Sequence, residues 1–244
     1  MKIKMEGNIK LINDDGLRLD GRAFNEMRPI KIQTGVIEKA DGSAFIEWGA
    51  NKIIVAVYVR EAYPKHTQNM DRAIVKARYN MAGFSVEERK RPGPDRRTME
   101  ISKVVSEALS SAIILEKLPR VEIDVFIEVL EADAGTRIAS LTASSVAVAD
   151  AGVPMRDLVV GCTAGKADGR VVLDLSKDED NYGQADIPMA ILPRTGKVVL
   201  LQIDGDVSEE EFDQATSMMM NAMKDISKIQ RDALMSKYSI EDGE

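Results

Sequence analysis

Three short stretches of this sequence hold residues whose types and spacing could do chemistry. The first is the pair Arg96-Arg97, which follows Arg91-Pro92-Gly93-Pro94-Asp95. From Arg89 to Arg97 there are five bases and one acid, a local net charge of +4. The prolines and the glycine stiffen the loop that presents the arginines. The pair falls where a helical repeat begins, so each cation opposes the helix dipole by about 0.3–1 kcal/mol. An anionic ligand at that helix start would offset the opposition. A solvated charged loop with Asp95 as N-cap accounts for the same residues.

The second stretch is Asp133-Ala134-Gly135-Thr136-Arg137, between a strand pattern and a helix pattern. Gly135 permits a positive φ and a close backbone approach. Thr136 offers a hydroxyl beside free helix N–H groups, and Arg137 a planar fork suited to phosphate. Together they make a small anion pocket, although the Gly-x-x-x-x-Gly-Lys spacing of a Walker loop is absent. A simple N-cap at Thr136 is the alternative.

The third is acidic. Asp174, Asp178, Glu179, Asp180 and Asp186 stand against Lys177, a local net of −4. Asp178-x-Asp180 starts like an EF-hand loop, but Tyr182 and Met189 occupy positions that need oxygen ligands. Asp180 and Asp186 would lie about 20 Å apart on an extended chain. A fold-back at Asn181-Tyr182-Gly183 would bring them together. Crowded carboxylates either hold a divalent cation or turn one of them into a proton donor. A solvated acidic loop is the competing reading. An arginine pair, an anion-binding helix start and a carboxylate pair are the parts that phosphodiester chemistry needs.

Composition narrows the rest. One cysteine, Cys162, excludes an internal disulfide and a Cys-rich zinc site. One histidine, His66, excludes paired-histidine metal motifs and leaves a nucleophilic triad only that base. Forty acids against 33 bases give a net charge of −7, and aromatics are 5%. A basic nucleic-acid-coating surface and a broad stacking platform are therefore not expected; any nucleic acid would occupy a narrow basic groove. There is no run of 18 apolar residues and no apolar core after Met-Lys-Ile-Lys, so neither a membrane span nor a secretory signal is expected.

The elements that must position these residues can be read from periodicity. Residues 29–60 look like a β-meander with a hairpin at Asp41-Gly42, and residues 71–79 read as a strand. Ile101, Val104, Val105, Ala108, Leu109, Ala112 and Ile113 repeat at helical spacing, with Pro119 as the expected stop. Val121 to Val129 alternates as a strand. An Ala- and Ser-rich helix then runs to about Ala151, stopped by Gly152 and Pro154. Strands are expected over residues 158–162, 171–175, 187–192 and 198–203, and a last helix from the capping box Ser208/Glu211 to about Tyr238. Roughly nine or ten strands with three long helices read as α+β. We expect one domain over 1–244, with residues 1–28 as an arm and 239–244 as a flexible tail.

Taken jointly, five motifs make the sequence resemble the RNase PH family. They are Leu17-Arg18-Leu19-Asp20-Gly21-Arg22; Arg96-Arg97; Glu131 to Arg137; Ala151-Gly152-Val153-Pro154-Met155; and Asp180 to Pro188. The resemblance spans about residues 10–238 and leans to the catalytic RNase PH-like subunits of archaeal exosomes. It implies an RNase PH fold, with mixed β-sheets and βαβ-type units like the second domain of ribosomal protein S5. It implies a cytoplasmic 3′-to-5′ exoribonuclease that degrades RNA by phosphorolysis, with inorganic phosphate as co-substrate, Mg²⁺ as cofactor and a reverse tailing activity. The implied partners are a related inactive subunit, in a trimer of heterodimers, and RNA-binding cap proteins, with no membrane. By residue, it implies Gly135, Thr136 and Arg137 for phosphate, and Arg96, Arg97 and, less directly, Lys65 for RNA. Asp180 and Asp186 would be the essential acidic pair, for catalysis and metal. The alternatives are RNase PH itself, trimming tRNA 3′ ends as a homohexamer, and a ring subunit that only binds RNA.

Overall fold

Along Val121–Glu131 (β5), Ile123, Val125, Ile127 and Val129 are buried, while Glu122, Asp124, Phe126 and Glu128 are half-buried. That two-residue period makes one face of a sheet apolar. The computed structural model describes residues 10–13, 16–62, 71–88, 90–91 and 93–238. In it, β5 sits inside a five-stranded sheet with β1 (Ile30–Thr34), β2 (Gly42–Trp48), β3 (Asn51–Glu61) and β4 (Ile74–Met81), in the order β1-β2-β3-β5-β4. β4 runs parallel to β5, and the other pairs are antiparallel. The parallel pair requires a crossover, and α1 (Arg96–Ala112) supplies it. The residues 71–79 expected as a strand begin as one at Ile74.

α1 also covers the outer edge of β4. Ala77 N–H donates to Ser106 Oγ at 2.8 Å, and Tyr79 N–H to Ser102 Oγ at 2.9 Å. Two N–H groups of an edge strand are thereby satisfied without another strand.

The second sheet holds β6 (Val160–Ala167), β7 (Arg170–Leu173), β8 (Ala185–Leu192), β9 (Lys197–Leu201) and β10 (Asp204–Gly205), all antiparallel. β6 lines one side of β8; β9 and β10 follow each other along its other side. Helix α2 (Thr136–Asp150) touches strands of both sheets, and every residue but Arg137 and Ala149 is buried. Its small side chains permit close approach, as the sequence predicts. A Cβ on Gly42 would stand 2.3 Å from the Ala147 carbonyl oxygen. Helix α4 (Glu209–Tyr238) packs on β1, β6 and β7, and one hydrophobic cluster takes in residues of both sheets.

Two local expectations are corrected. α1 stops at Ala112 and not near Pro119, because Ile113 turns extended to pair with Met155 and Ile114 N–H donates to the Pro154 carbonyl. The acidic stretch is not a plain loop: Lys177–Tyr182 forms a short helix, α3. Within the arm, Leu11 joins Ala167, Val172 and Leu175 in a second small cluster. Residues 1–9 of that arm and the tail 239–244 lie outside the described residues. Among the described residues no helix is long and apolar enough to cross a membrane.

Candidate active site

The turn after β5 leaves the sheet through two residues with positive φ, Ala134 at 52° and Gly135 at 67°. Gly135 is the N-cap of α2 and brings no side chain to it; Thr136 is the first helical residue, not the cap. With no side-chain cap, the N–H groups of Thr136 and Arg137 stay available to a ligand, while Ile138 N–H already bonds the Gly135 carbonyl at 3.1 Å. The Thr136 hydroxyl instead accepts the Tyr79 O–H at 2.9 Å. Burial raises the Tyr79 pKa above its usual value, and the Thr136 hydrogen bond and the charges of Arg97 and Arg137 only partly oppose it. Tyr79 therefore remains a donor.

Arg137 is held from two directions. Its Nη1 donates to Gln202 Oε1 and its Nη2 to Glu100 Oε2 at 2.9 Å, while Gln202 Nε2 donates to Glu100 Oε1 at 2.9 Å. Arg137 Nε and Thr163 Oγ1 are buried with no partner. A buried donor without a partner costs about 1–3 kcal/mol, so both atoms favour a ligand that can reach them.

Asp95 caps α1. Thr98 N–H donates to its carboxylate at 2.7 Å, and Asp95 N–H returns a bond to the Thr98 hydroxyl at 2.8 Å. The Thr98 N–H, with the nearby Lys90, holds the Asp95 carboxyl below its usual value. The first turn beyond it carries no acid, so the charges of Arg96 and Arg97 stand at the helix start, both exposed.

The fold-back expected between the two aspartates is made by α3 and Gly183. Ser176 and Glu179 close a capping box at the start of α3, and Gly183 N–H bonds the Glu179 carbonyl at 2.8 Å at its end. Asp186 lies at the start of β8, opposite Asp204 of β10.

These pieces meet. A cleft of about 500 Å³ is lined by Arg97, Gly135, Thr136, Arg137, Asp180 and Asp186. Arg96 is not among its lining residues, and Lys65 falls outside the described residues. Glu100, Thr163, Gln202 and Asp204 also line it. Sequence reasoning missed these four. Glu100 stands three residues after Arg97 on one helix face, a spacing that could have flagged it; Thr163 and Gln202 carry no local signal. Among the described residues no group of three or more His, Cys, Asp and Glu could enclose a metal ion. A hard cation here would rest on one or two carboxylates, water and substrate oxygens, which suits Mg²⁺.

The sequence also matches known family models. Residues 26–154 match domain 1 of the 3′ exoribonuclease family (RNase PH), and residues 157–222 match its domain 2. The chain belongs to the 3′ exoribonuclease family. The RNase PH fold and the phosphate-dependent 3′-to-5′ exoribonuclease activity implied by the five motifs come with that membership. Among relatives in the family, the exosome complex component Rrp41 of Thermoplasma volcanium is 73% identical over 241 residues, 98% of this chain and 97% of that one. Rrp41 of Pyrococcus furiosus is 59% identical over 239 residues, 98% and 95% of the two chains. A chain of the Archaeoglobus fulgidus exosome, solved with RNA bound to the active site, superposes with a TM-score of 0.76 at 26% identity over 88% of this chain and 92% of that one. Rice Rrp46 superposes with a TM-score of 0.79 at 23% identity, over 89% of this chain and all of that one, and shows the shared fold.

Proposed function

We propose that this chain is the catalytic subunit of an archaeal exosome, which removes nucleotides from RNA 3′ ends by phosphorolysis. The observation that carries this reading is the meeting of Arg97, the Gly135–Arg137 helix start, Asp180 and Asp186 in one cleft. An oxygen of inorganic phosphate attacks the last phosphodiester phosphorus. The bond from that phosphorus to the preceding 3′ oxygen breaks, and a nucleoside 5′-diphosphate leaves. Arg137 and the free N–H groups of α2 hold the attacking phosphate. Arg97 neutralises the scissile phosphate and Arg96 the strand beyond it; Lys65 is given to RNA by the family resemblance alone. Asp180 or Asp186 protonates the departing 3′ oxygen. When bound, Mg²⁺ on these carboxylates would neutralise charge on the phosphates. The relatives named as exosome complex components support assembly with other subunits; on this reading the chain pairs with a related subunit of the same fold in a six-membered ring that carries RNA-binding caps. The hydrophobic cluster shared by the two sheets supports one domain across the residues it joins, from Met27 to Leu234.

The decisive experiment digests a single-stranded RNA with the purified assembled protein, with and without inorganic phosphate. Nucleoside diphosphates should appear only with phosphate. Asp180→Ala should abolish their release while RNA is still retained; monophosphates without phosphate, or an active Asp180→Ala, would overturn the assignment.

A further inference from the structure

Three arginines near the N-terminus are buried without lining the cleft: Arg18, Arg22 and Arg28 are 0%, 8% and 7% exposed. All three converge on Asp174, itself 1% exposed. Arg28 Nε and Nη2 donate to its two carboxylate oxygens at 3.0 and 2.7 Å, and the Arg28 backbone N–H adds a bond of 2.8 Å. Trp48 Nε1 donates to the same carboxylate at 3.1 Å. Arg18 Nη2 and Arg22 Nη1 donate to the Asp174 carbonyl at 2.9 and 3.0 Å. Asp174 is held at φ 54°, a conformation that a non-glycine residue keeps only when its surroundings dictate it.

From this hub two side chains reach segments that border the cleft. Arg28 Nη1 donates to the Asp133 carbonyl and, at 3.2 Å, to the Asp133 carboxylate. Asn51, fully buried, accepts the Asp133 N–H at 2.7 Å and donates to the Ala134 carbonyl at 2.7 Å. The two consecutive positive-φ residues of the anion-binding turn are thus fixed from below. On the other side, Arg18 Nε and Nη2 donate to the two Glu179 carboxylate oxygens at 2.7 and 2.5 Å. Glu179 directly precedes Asp180. A helix of six residues cannot hold itself in water, so this pair decides where α3 lies.

Buried ion pairs are a weak source of stability, since well-packed apolar residues often do as well. What a guanidinium adds is direction, a rigid fork that spans two acceptors in one plane. We propose that Arg28 and Arg18 are positioning residues for the reaction: Arg28 fixes the anion-binding turn, Arg18 fixes the helix that carries Asp180, and Asp174 ties both to one frame. This proposal rests on the phosphorolytic reading above.

The test is a split in kinetic constants between two conservative variants of the assembled protein. Arg28→Lys keeps a charge for Asp174 but cannot also span to Asp133. It should raise KM for inorganic phosphate about tenfold, with kcat at saturating phosphate within about twofold of wild type. Arg18→Lys should lower kcat roughly ten- to a hundredfold, the cost of a misplaced group, with KM for phosphate nearly unchanged. Equal losses in both constants, or none in either, would overturn the proposal. If Arg28→Lys fails to fold, Asp133→Ala removes one acceptor of the same contact at its more exposed end and should still raise KM for phosphate severalfold; an unchanged KM there counts against it. A wild type that releases no diphosphates would sink the functional reading first, which separates the two failures.

Discussion

At the scale of single residues, the buried charges set how the fold responds to acid. Burial alone would raise the Asp174 pKa, but the hydrogen bonds and charge of Arg28, with Trp48, outweigh it and hold the carboxyl below its usual 3.8. Burial likewise pushes Glu179 upward, and Arg18 and Ser176 overcome it, leaving the carboxyl below 4.5. A carboxyl with a depressed folded-state pKa contributes stability that is full above its unfolded value and lost as pH falls through the folded one. Urea midpoints of the wild type should therefore stay level from neutrality down to about pH 5 as far as these two groups decide it, and fall below about pH 4. Arg28→Met deprives the buried carboxylate of its main partner, at a cost of about 3–5 kcal/mol. Desolvation then dominates, the Asp174 pKa rises above its unfolded value, and the sign reverses: the variant should lose stability as pH rises from about 4 to 7. A variant that keeps the wild-type slope would show that Asp174 is not held charged by Arg28.

At the scale of elements, packing decides what side-chain chemistry does not. Ser102 and Ser106 cap two edge N–H groups of β4, so Ser102→Ala with Ser106→Ala should leave both unsatisfied. The expected loss is about 1–3 kcal/mol for each, read from the denaturant midpoint; a double variant within error of wild type would mean that water replaces them at no cost. Gly42→Ala tests the seat of β2 on α2, where the added methyl meets backbone that cannot yield. It should destabilise by about 1–3 kcal/mol, as overpacking does. The long elements were legible from local signals: β5 from its two-residue period, α1 from helical spacing, and α4 from its Ser208/Glu211 capping box. α3 was not, since its six residues contain no apolar repeat and its helical state depends on Arg18, some 160 positions away by the 161-residue separation from Glu179. The end of α1 escaped for a related reason, as Ile113 obeys its pairing with Met155 and not its neighbours.

At the scale of the whole molecule, the site was partly legible for the same cause. Arg97, Gly135 to Arg137, Asp180 and Asp186 announce themselves through local charge and turn chemistry. Gln202 meets Arg137 across 65 positions, and Asp174 looks in sequence like one more member of an acidic run when it is the buried centre of three arginines. Counting charges gives the field but not the partners. The field still carries a prediction. With a net charge of −7, the body repels RNA, and attraction must come from the few cations at the cleft and its mouth. Each phosphate contact on a single strand contributes about −0.7 to the slope of log affinity against log salt. Arg96, Arg97 and Lys65 would give a slope of about −2 at most, so a fourfold rise in salt should weaken RNA binding only about sixteenfold. Arg97→Ala should reduce that slope by about 0.7 on every RNA sequence alike. A slope several times steeper would mean that RNA follows a long basic track outside the cleft, and the picture of a narrow cationic entrance on an acidic body would have to be abandoned.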